Sequence, residues 1–373
     1  MIRGEQIYRG PAILAAHDKW NAISGPRPPK TPMQRSSFTR YVKSALARSG
    51  AIAVARRSNS QVLRILGYHA VADSPDYCIP EINVRPAEFE RQLQFLRLHY
   101  QVISLDQALG CFAADEPLPE RAVTITFDDG YRDNYIHAFP LLRKYGLTAT
   151  FFVASGIFHG IPFWVAQLQR ILSQPRGLNR LAPAFEIPAH LLRPGRATRQ
   201  ALISHVMGYI NRCPTRAARD AMLDQVFTLV DASKAERDSR SYMLEAAHIR
   251  EMAAAGMTIG SHTVTHAVLT SLEELGALDE LVTSKQQLEA IIEQPVRHFA
   301  HPNGPGVINY SETTARLAHV AGFASACTSI RGMAQKSSNR FLLPRHNVND
   351  DLHCSAFAFK LEEHRFPLLL MGT

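Results

Sequence analysis

Two adjacent carboxylates, Asp128 and Asp129, close the apolar run from Arg121 to Phe127 in the segment Thr126-Phe127-Asp128-Asp129-Gly130-Tyr131. Neighbouring acids at the end of a buried strand are unfavourable unless a cation holds one of them or one keeps a raised pKa, and either outcome is useful to chemistry. Asp-Asp-Gly is also good turn chemistry, with either acid able to cap a helix that begins near Asn134. A second segment, Gly260-Ser261-His262-Thr263-Val264-Thr265-His266, sets two histidines four residues apart after the short apolar run Met257 to Ile259. Helical or helix-like spacing of four puts both imidazoles on one side. Two imidazoles and a carboxylate make an open three-ligand site that leaves positions for water and substrate. A His pair alone is as readily structural; a His pair and an acid pair, each closing its own strand, argue for one site. A third segment, Phe299-Ala300-His301-Pro302-Asn303-Gly304, follows the strand candidate Val296 to Ala300 and turns sharply at its Pro and Gly. Three strand ends bearing polar groups suggest one rim, since catalytic residues of parallel α/β architectures gather at the C-terminal ends of strands.

These segments resemble the metal-binding and catalytic motifs of the polysaccharide deacetylase family, which shares the NodB homology domain and is of the carbohydrate esterase family 4 type. The match is specific in TFDDG and SHxxxH and looser in the third motif. The resemblance implies a distorted (β/α) barrel, within the α/β class, that holds a divalent metal, zinc foremost, and hydrolyses N-acetyl groups on amino sugars. It implies Asp129, His262 and His266 as metal ligands and Asp128 as general base. The physical logic agrees: a bound divalent metal brings the pKa of water to about 7, a neighbouring carboxylate removes the proton, and the leaving amine needs an acid. The strand pattern Leu63-Arg64-Ile65-Leu66-Gly67-Tyr68-His69 resembles the opening YH strand of the poly-N-acetylglucosamine branch, which implies His69 as that acid. A satisfied, partly buried histidine is the plainer reading of the same residue.

The chain also departs from the family pattern. Where many members carry an Arg that orients the base, this sequence has Ala300, with His301 beside it. The Asp/Trp-rich fourth motif is not visible around Phe323 to Ser329, and Leu342-Leu343-Pro344-Arg345-His346 stands in place of the fifth. Arg345 could hold a carboxylate bidentately, and His346 rivals His69 for the acid. Pro302, Asn303, Gly304, Arg345 and His346 are therefore candidate substrate-binding or orienting residues. The altered motifs also motivate an alternative from another class, a catalytically idle glycan-binding homologue.

Composition narrows the setting. The five cysteines, Cys78, Cys111, Cys213, Cys327 and Cys354, are scattered and contain no C-x-x-C pair, as expected of reduced thiols in a cytoplasmic protein. The net charge of +8 is concentrated: residues 1–60 carry 11 Lys plus Arg against 2 Asp plus Glu, which leaves the other 313 residues near neutrality at −1. A basic extension on a near-neutral domain is an address or a surface contact and not a nucleic-acid-binding fold. Residues 25–32 read as unstructured, and Ser36 to Arg57, wound as a helix, places Phe38, Val42 and Leu46 on one side and cations elsewhere. That pattern suits peripheral contact with an anionic inner-membrane surface, and with it a lipid-linked sugar as alternative substrate. No signal-type apolar region opens the chain and no run of 18 apolar residues exists; Met33 is an alternative start.

The elements that must position the motifs follow in order. Periodicity predicts a helix over Pro86 to Tyr100, a strand over Gln101 to Ser104, a helix from Asp106, a helix near Asn134 to Tyr145 and a strand over Thr148 to Val153. Residues 157–247 read as a helical insertion that shapes access, with Arg193, Arg196, Arg199, Arg212 and Arg216 available to an anionic glycan or lipid phosphate. Alternation resumes with helices at His248 to Ala255, Leu272 to Glu293 and Ser311 to Val320 and strands near Phe323 and Phe341. The expected organisation is a basic extension at 1–60, a deacetylase domain at 62–350 and a C-terminal segment at 351–373, with an N-acetylated glycan as partner.

Overall fold

The computed structural model describes residues 61–174, 176–304, 306–349 and 354–362. The basic segment 1–60, with its expected membrane-facing helix and the alternative start at Met33, lies outside the described residues. So does most of segment 351–373. No helix among the described residues is long and apolar enough to cross a membrane.

The strands are β1 (Arg64–Tyr68), β2 (Ala70–Val71), β3 (Asn83–Val84), β4 (Gln101–Val102), β5 (Ala122–Phe127), β6 (Thr150–Val153), β7 (Thr258–Ser261), β8 (His298–Ala300), β9 (Ser325–Arg331) and β10 (Leu343–Asn347). The helices are α1 (Pro86–His99), α2 (Leu105–Ala114), α3 (Phe139–Tyr145), α4 (Trp164–Leu172), α5 (Leu178–Leu181), α6 (Arg196–Asn211), α7 (Arg216–Leu229), α8 (Ala246–Ala254), α9 (Glu274–Ile292), α10 (Glu312–Val320) and α11 (Cys354–Glu362). Strands pair in the order β1-β10-β9-β8-β7-β6-β5, and β5 pairs back onto β1 from Arg64 opposite Val123 to Tyr68 opposite Phe127. Seven parallel strands thus close a barrel with helices around it, and β4 extends from β5 outside the closure. Closure removes the sheet edges that an open parallel sheet would expose.

The sequence of β5, Ala-Val-Thr-Ile-Thr-Phe, is buried throughout, as a strand packed on both faces must be. Its two threonines bond inside the fold, Thr124 Oγ1 to the Ile103 carbonyl at 3.1 Å and Thr126 Oγ1 to the Leu66 carbonyl at 2.8 Å. Leu63, Ile65, Phe152, Ala300, Cys327 and Leu343 form one apolar cluster. Their strand neighbours Leu66, Tyr68, Phe151 and Phe299 alternate to the other face and pack with Phe89, Leu93, Leu281 and Leu317 of the surrounding helices.

Sequence periodicity locates most of these elements within two residues. The segment Asn134 to Tyr145 is an exception: a π-helical turn over Asn134–Ala138 precedes α3. Pro140 has no N–H to donate, and the Phe139 N–H bonds back to the Asn134 carbonyl, five residues away. The last two strands begin at Ser325 and Leu343, with Phe323 and Phe341 buried just ahead of them. Between β6 and β7 the chain forms α4 to α8, and Trp164, Leu168, Ile203, Val206 and Phe227 give this segment an apolar core distinct from that beneath the barrel helices. At the far end, Arg64 of β1 pairs with Glu362 of α11 at 3.0 Å and donates to the Leu361 carbonyl at 2.7 Å, with both charged side chains buried.

Candidate active site

β1 and β5 are in register through Tyr68 and Phe127, so His69 and Asp128 leave the barrel side by side. The Asp128 N–H donates to the Tyr68 carbonyl at 2.9 Å, which prolongs the pairing by one residue. The chain then turns through two left-handed residues, Asp129 at φ 78° and Gly130 at φ 87°. Gly130 is required twice over, because a Cβ there would also stand 2.7 Å from Val153 Cγ1. The turn sends the two carboxylates in different directions, toward different partners.

Asp129 faces the His pair. Its Oδ1 lies 3.4 Å from His262 Nε2 and 3.3 Å from His266 Nε2, and all three residues are buried. His262 continues β7, its N–H donating to the Val153 carbonyl at 3.0 Å. Its Nδ1–H donates to the Ala300 carbonyl at 2.8 Å, which fixes the tautomer and leaves the Nε2 lone pair facing Asp129. His266 sits on a loop, and not on the helix that a spacing of four would suit, with Thr263 at φ 64° and His266 at φ 53° folding the chain back. The two rings end 4.9 Å apart. Burial pushes the His266 imidazole down against the pull of Asp129, which favours the neutral ring a metal needs. Asp129 Oδ1 has no hydrogen-bond partner although it is buried. An orphaned carboxylate oxygen between two imidazole nitrogens is a donor set that could hold a divalent cation.

Asp128 faces Arg345 of β10. The guanidinium grips it in a fork, Nη1 to Oδ1 and Nη2 to Oδ2, each at 2.7 Å. The fork is itself fixed by Nε donating to the Thr328 carbonyl at 2.8 Å and Nη1 to Thr126 Oγ1 at 3.1 Å. Burial pushes Asp128 up, but Arg345, His262 and His69 outweigh it and hold the carboxyl below its ordinary value. The orienting cation that Ala300 cannot supply therefore comes from another strand. His69 Nε2 stands 3.9 Å from Asp128 Oδ2, and its side chain, 16% exposed against 4% for Asp128, is the more open of the pair.

Of the remaining candidates, Pro302, Asn303 and Gly304 form the loop after β8. Asn309 supports that loop by accepting from the Gly304 N–H at 2.9 Å and donating to the Asn303 side chain. A Cβ on Gly304 would run into Asn211 at the end of α6, so this loop packs against the helical segment. His346 is a correction. Arg345 and Asn347 both approach the Gly67 position, so by strand alternation His346 points to the opposite face of β10 and away from Asp128. It stands neither as acid nor as orienting residue. His301, next to Ala300, is buried, donates to the Phe341 carbonyl at 3.1 Å and is pushed down by burial to about 4, so its ring is neutral.

Glu280 of α9 was not legible as a functional residue, yet it accepts the Val264 and Thr265 N–H groups of the His-pair loop at 2.8 and 3.0 Å. Asp133 was also missed, although it follows the acid pair closely. It accepts from the Val71 N–H at 2.8 Å, from Tyr77 Oη at 2.6 Å and from Asn134 at 2.8 Å, and so fastens the acid turn to the chain after β1. A Ser-His-Asp series exists at the other end of the barrel, with Ser325 Oγ 2.9 Å from His298 Nδ1 and His298 Nε2 3.4 Å from Asp106. Ser325 and His298 are fully buried, so no substrate reaches that serine.

The family model described as polysaccharide deacetylase matches residues 115–176 and 225–326, leaving 177–224, within the helical segment, unmatched. The Bacillus subtilis (strain 168) protein YxkH, a polysaccharide deacetylase by name, is 23% identical over 301 residues, 80% of this chain and 76% of that protein. The poly-beta-1,6-N-acetyl-D-glucosamine N-deacetylase of Escherichia coli (strain K12) is 38% identical over 65 residues, 17% of this chain and only 10% of that protein. Among solved structures, the Streptococcus pyogenes deacetylase PplD in complex with acetate superposes with a TM-score of 0.54 at 19% identity, covering 82% of this chain and 99% of that one. IcaB from Ammonifex degensii does so with a TM-score of 0.51 at 19% identity, covering 81% and 98%. These likenesses bear on the barrel.

Proposed function

We propose that the chain, matched over residues 115–176 and 225–326 by the polysaccharide deacetylase model and similar along 80% of its length to a polysaccharide deacetylase by name, is a member of that family and removes N-acetyl groups from amino sugars of a glycan, with N-acetylglucosamine polymers as the substrate class. In this reading Asp129, His262 and His266 hold a divalent metal, zinc foremost. The observation that carries it is the convergence of His262 Nε2, His266 Nε2 and the unpartnered Asp129 Oδ1, beside a second carboxylate already gripped by Arg345. When bound there, the metal supplies an acidified water and polarises the acetyl carbonyl.

The chain's own residues do the rest. Asp128, ionised and aimed by the Arg345 fork, takes a proton from the attacking water. His69, beside Asp128 and on the more open side, gives a proton to the leaving amine. Without that proton the tetrahedral intermediate would return to amide, because a free amide anion is too poor a leaving group to depart. The E. coli relative's named substrate and the YH strand support N-acetylglucosamine polymers. The Arg345 fork answers one reason for an idle homologue, the missing Arg at position 300. The test is acetate release from β-1,6-linked N-acetylglucosamine oligomers by the full chain before chelation, after chelation and after zinc is restored. Loss and recovery are expected; no release under any condition, with the site loaded, overturns the reading.

A further inference from the structure

The loop carrying His266 is held from behind. Thr263 and His266 both occupy positive φ, a region that β-branched and bulky side chains avoid, so the conformation depends on what surrounds it. On one side Glu280 accepts two loop N–H groups, at 2.8 and 3.0 Å, and the Thr265 hydroxyl, at 2.6 Å. On the other, Arg219 of α7 donates through Nη1 to Thr265 Oγ1 at 2.9 Å and to the Thr265 carbonyl at 3.3 Å. Trp164 Nε1 donates to the same carbonyl at 3.1 Å, and the Phe163 ring meets the His266 ring edge-on at 5.4 Å. The Thr265 hydroxyl thus links a cation to an anion, one residue from His266. Arg219 is only 7% exposed, and burying a guanidinium is unfavourable unless its bonds are needed. Beside the clamp lies an open pocket of about 400 Å³ lined by Arg219, Thr265, His266 and Glu280 among others. The start of the loop is tied to the chain after β6, where the Ser155 and Gly156 N–H groups donate to the Thr263 and Val264 carbonyls at 3.1 and 2.9 Å, whereas the Thr265 side chain is held by Arg219 and Glu280.

We propose that Arg219 is a positioning residue that fixes Thr265, and through it the His266 ring, so that the helical segment between β6 and β7 sets the metal affinity of the site. The inference rests on reading Asp129, His262 and His266 as a metal site. It gives the helical segment a role at the site itself.

The test is zinc affinity of the full chain, read by competition with a chromophoric chelator, for the native protein and for Arg219→Met, Arg219→Lys, Thr265→Val and Asp129→Ala. Native protein is expected to bind one zinc and Asp129→Ala to lose it; equal binding by these two would overturn the metal reading itself. Arg219→Met is expected to weaken zinc binding by about 10–100-fold, the range for loss of a group that orients a ligand. Arg219→Lys, which keeps the charge, is expected to recover part of that loss. A purely structural Arg219 would lower the melting temperature of the zinc-free protein and leave zinc affinity native. That result overturns the proposal. Should Arg219→Met not fold, Thr265→Val, which deletes the shared hydroxyl at constant shape, decides it: a drop of about tenfold supports the clamp and native affinity refutes it.

Discussion

At the scale of single residues, Asp128 and Asp129 are covalent neighbours with different electrostatic surroundings. One is forked by a guanidinium at 2.7 Å; the other leaves an oxygen unpartnered between two imidazoles. Arg345 is the residue on which Asp128 most depends. Arg345→Met leaves a buried carboxylate without its partner and should destabilise the chain by about 3–5 kcal/mol in urea unfolding. Arg345→Lys keeps the charge but loses the fork, so stability should recover in part while kcat stays at least about tenfold low. His69 yields a sharper test, because an acid matters only for a poor leaving group. His69→Gln should lower amide hydrolysis by about 10²-fold or more yet spare an activated aryl acetate, whose phenolate departs unaided. Equal losses on both substrates would remove His69 from the role of acid.

At the scale of elements, what could be read from the sequence is what lies within one loop. The acid pair, the His pair and the YH strand each announce themselves because strand and chemistry are contiguous, and strand alternation with helices foretold the parallel sheet. The partner of Asp128 lies 217 residues away, on the strand that closes the barrel, and only the β1–β10 and β9–β10 registers bring Arg345 to it. His346 fails for the same reason in reverse: the residue type suits an acid, but the face of β10 was not legible from the segment Leu342 to His346. Glu280 and Arg219 were hidden among the ordinary charges of two amphipathic helices. The turn after β5 has its own signature in pH. Asp133 is almost wholly buried, and burial raises its carboxyl to about 6 against the pull of its hydrogen bonds to Tyr77, Val71 and Asn134. In the unfolded chain the same group releases its proton near 3.9, so between about pH 4 and 6 the folded state binds more protons and this contribution to stability falls as pH rises. The difference amounts to about 3 kcal/mol at most. Asp133→Asn should therefore show a flatter or more rising stability profile than native across pH 4–6 in denaturant melts; parallel profiles would contradict a raised pKa.

At the scale of the whole molecule, a closed parallel barrel places its chemistry at one end and its fastening at the other. The buried Arg64–Glu362 pair ties α11 to the first strand, and Tyr100 Oη donates to the same carboxylate at 2.8 Å. Glu362→Ala strands a buried guanidinium and should destabilise the chain by about 3–5 kcal/mol, while acetate release per folded molecule stays native. An equal fall in stability and in specific activity would mean that this lock reaches the site. The division of labour between the two carboxylates is tested most directly by one comparison: zinc content and acetate-release rate measured on the same preparation of Asp128→Asn, beside the native chain. The expected result is one zinc bound as in the native protein and a kcat lower by about 10²–10⁴, because the base is gone and the ligands remain. A zinc-loaded Asp128→Asn that releases acetate at the native rate, or one that loses its zinc, would contradict the assignment of Asp128 as base and Asp129 as ligand.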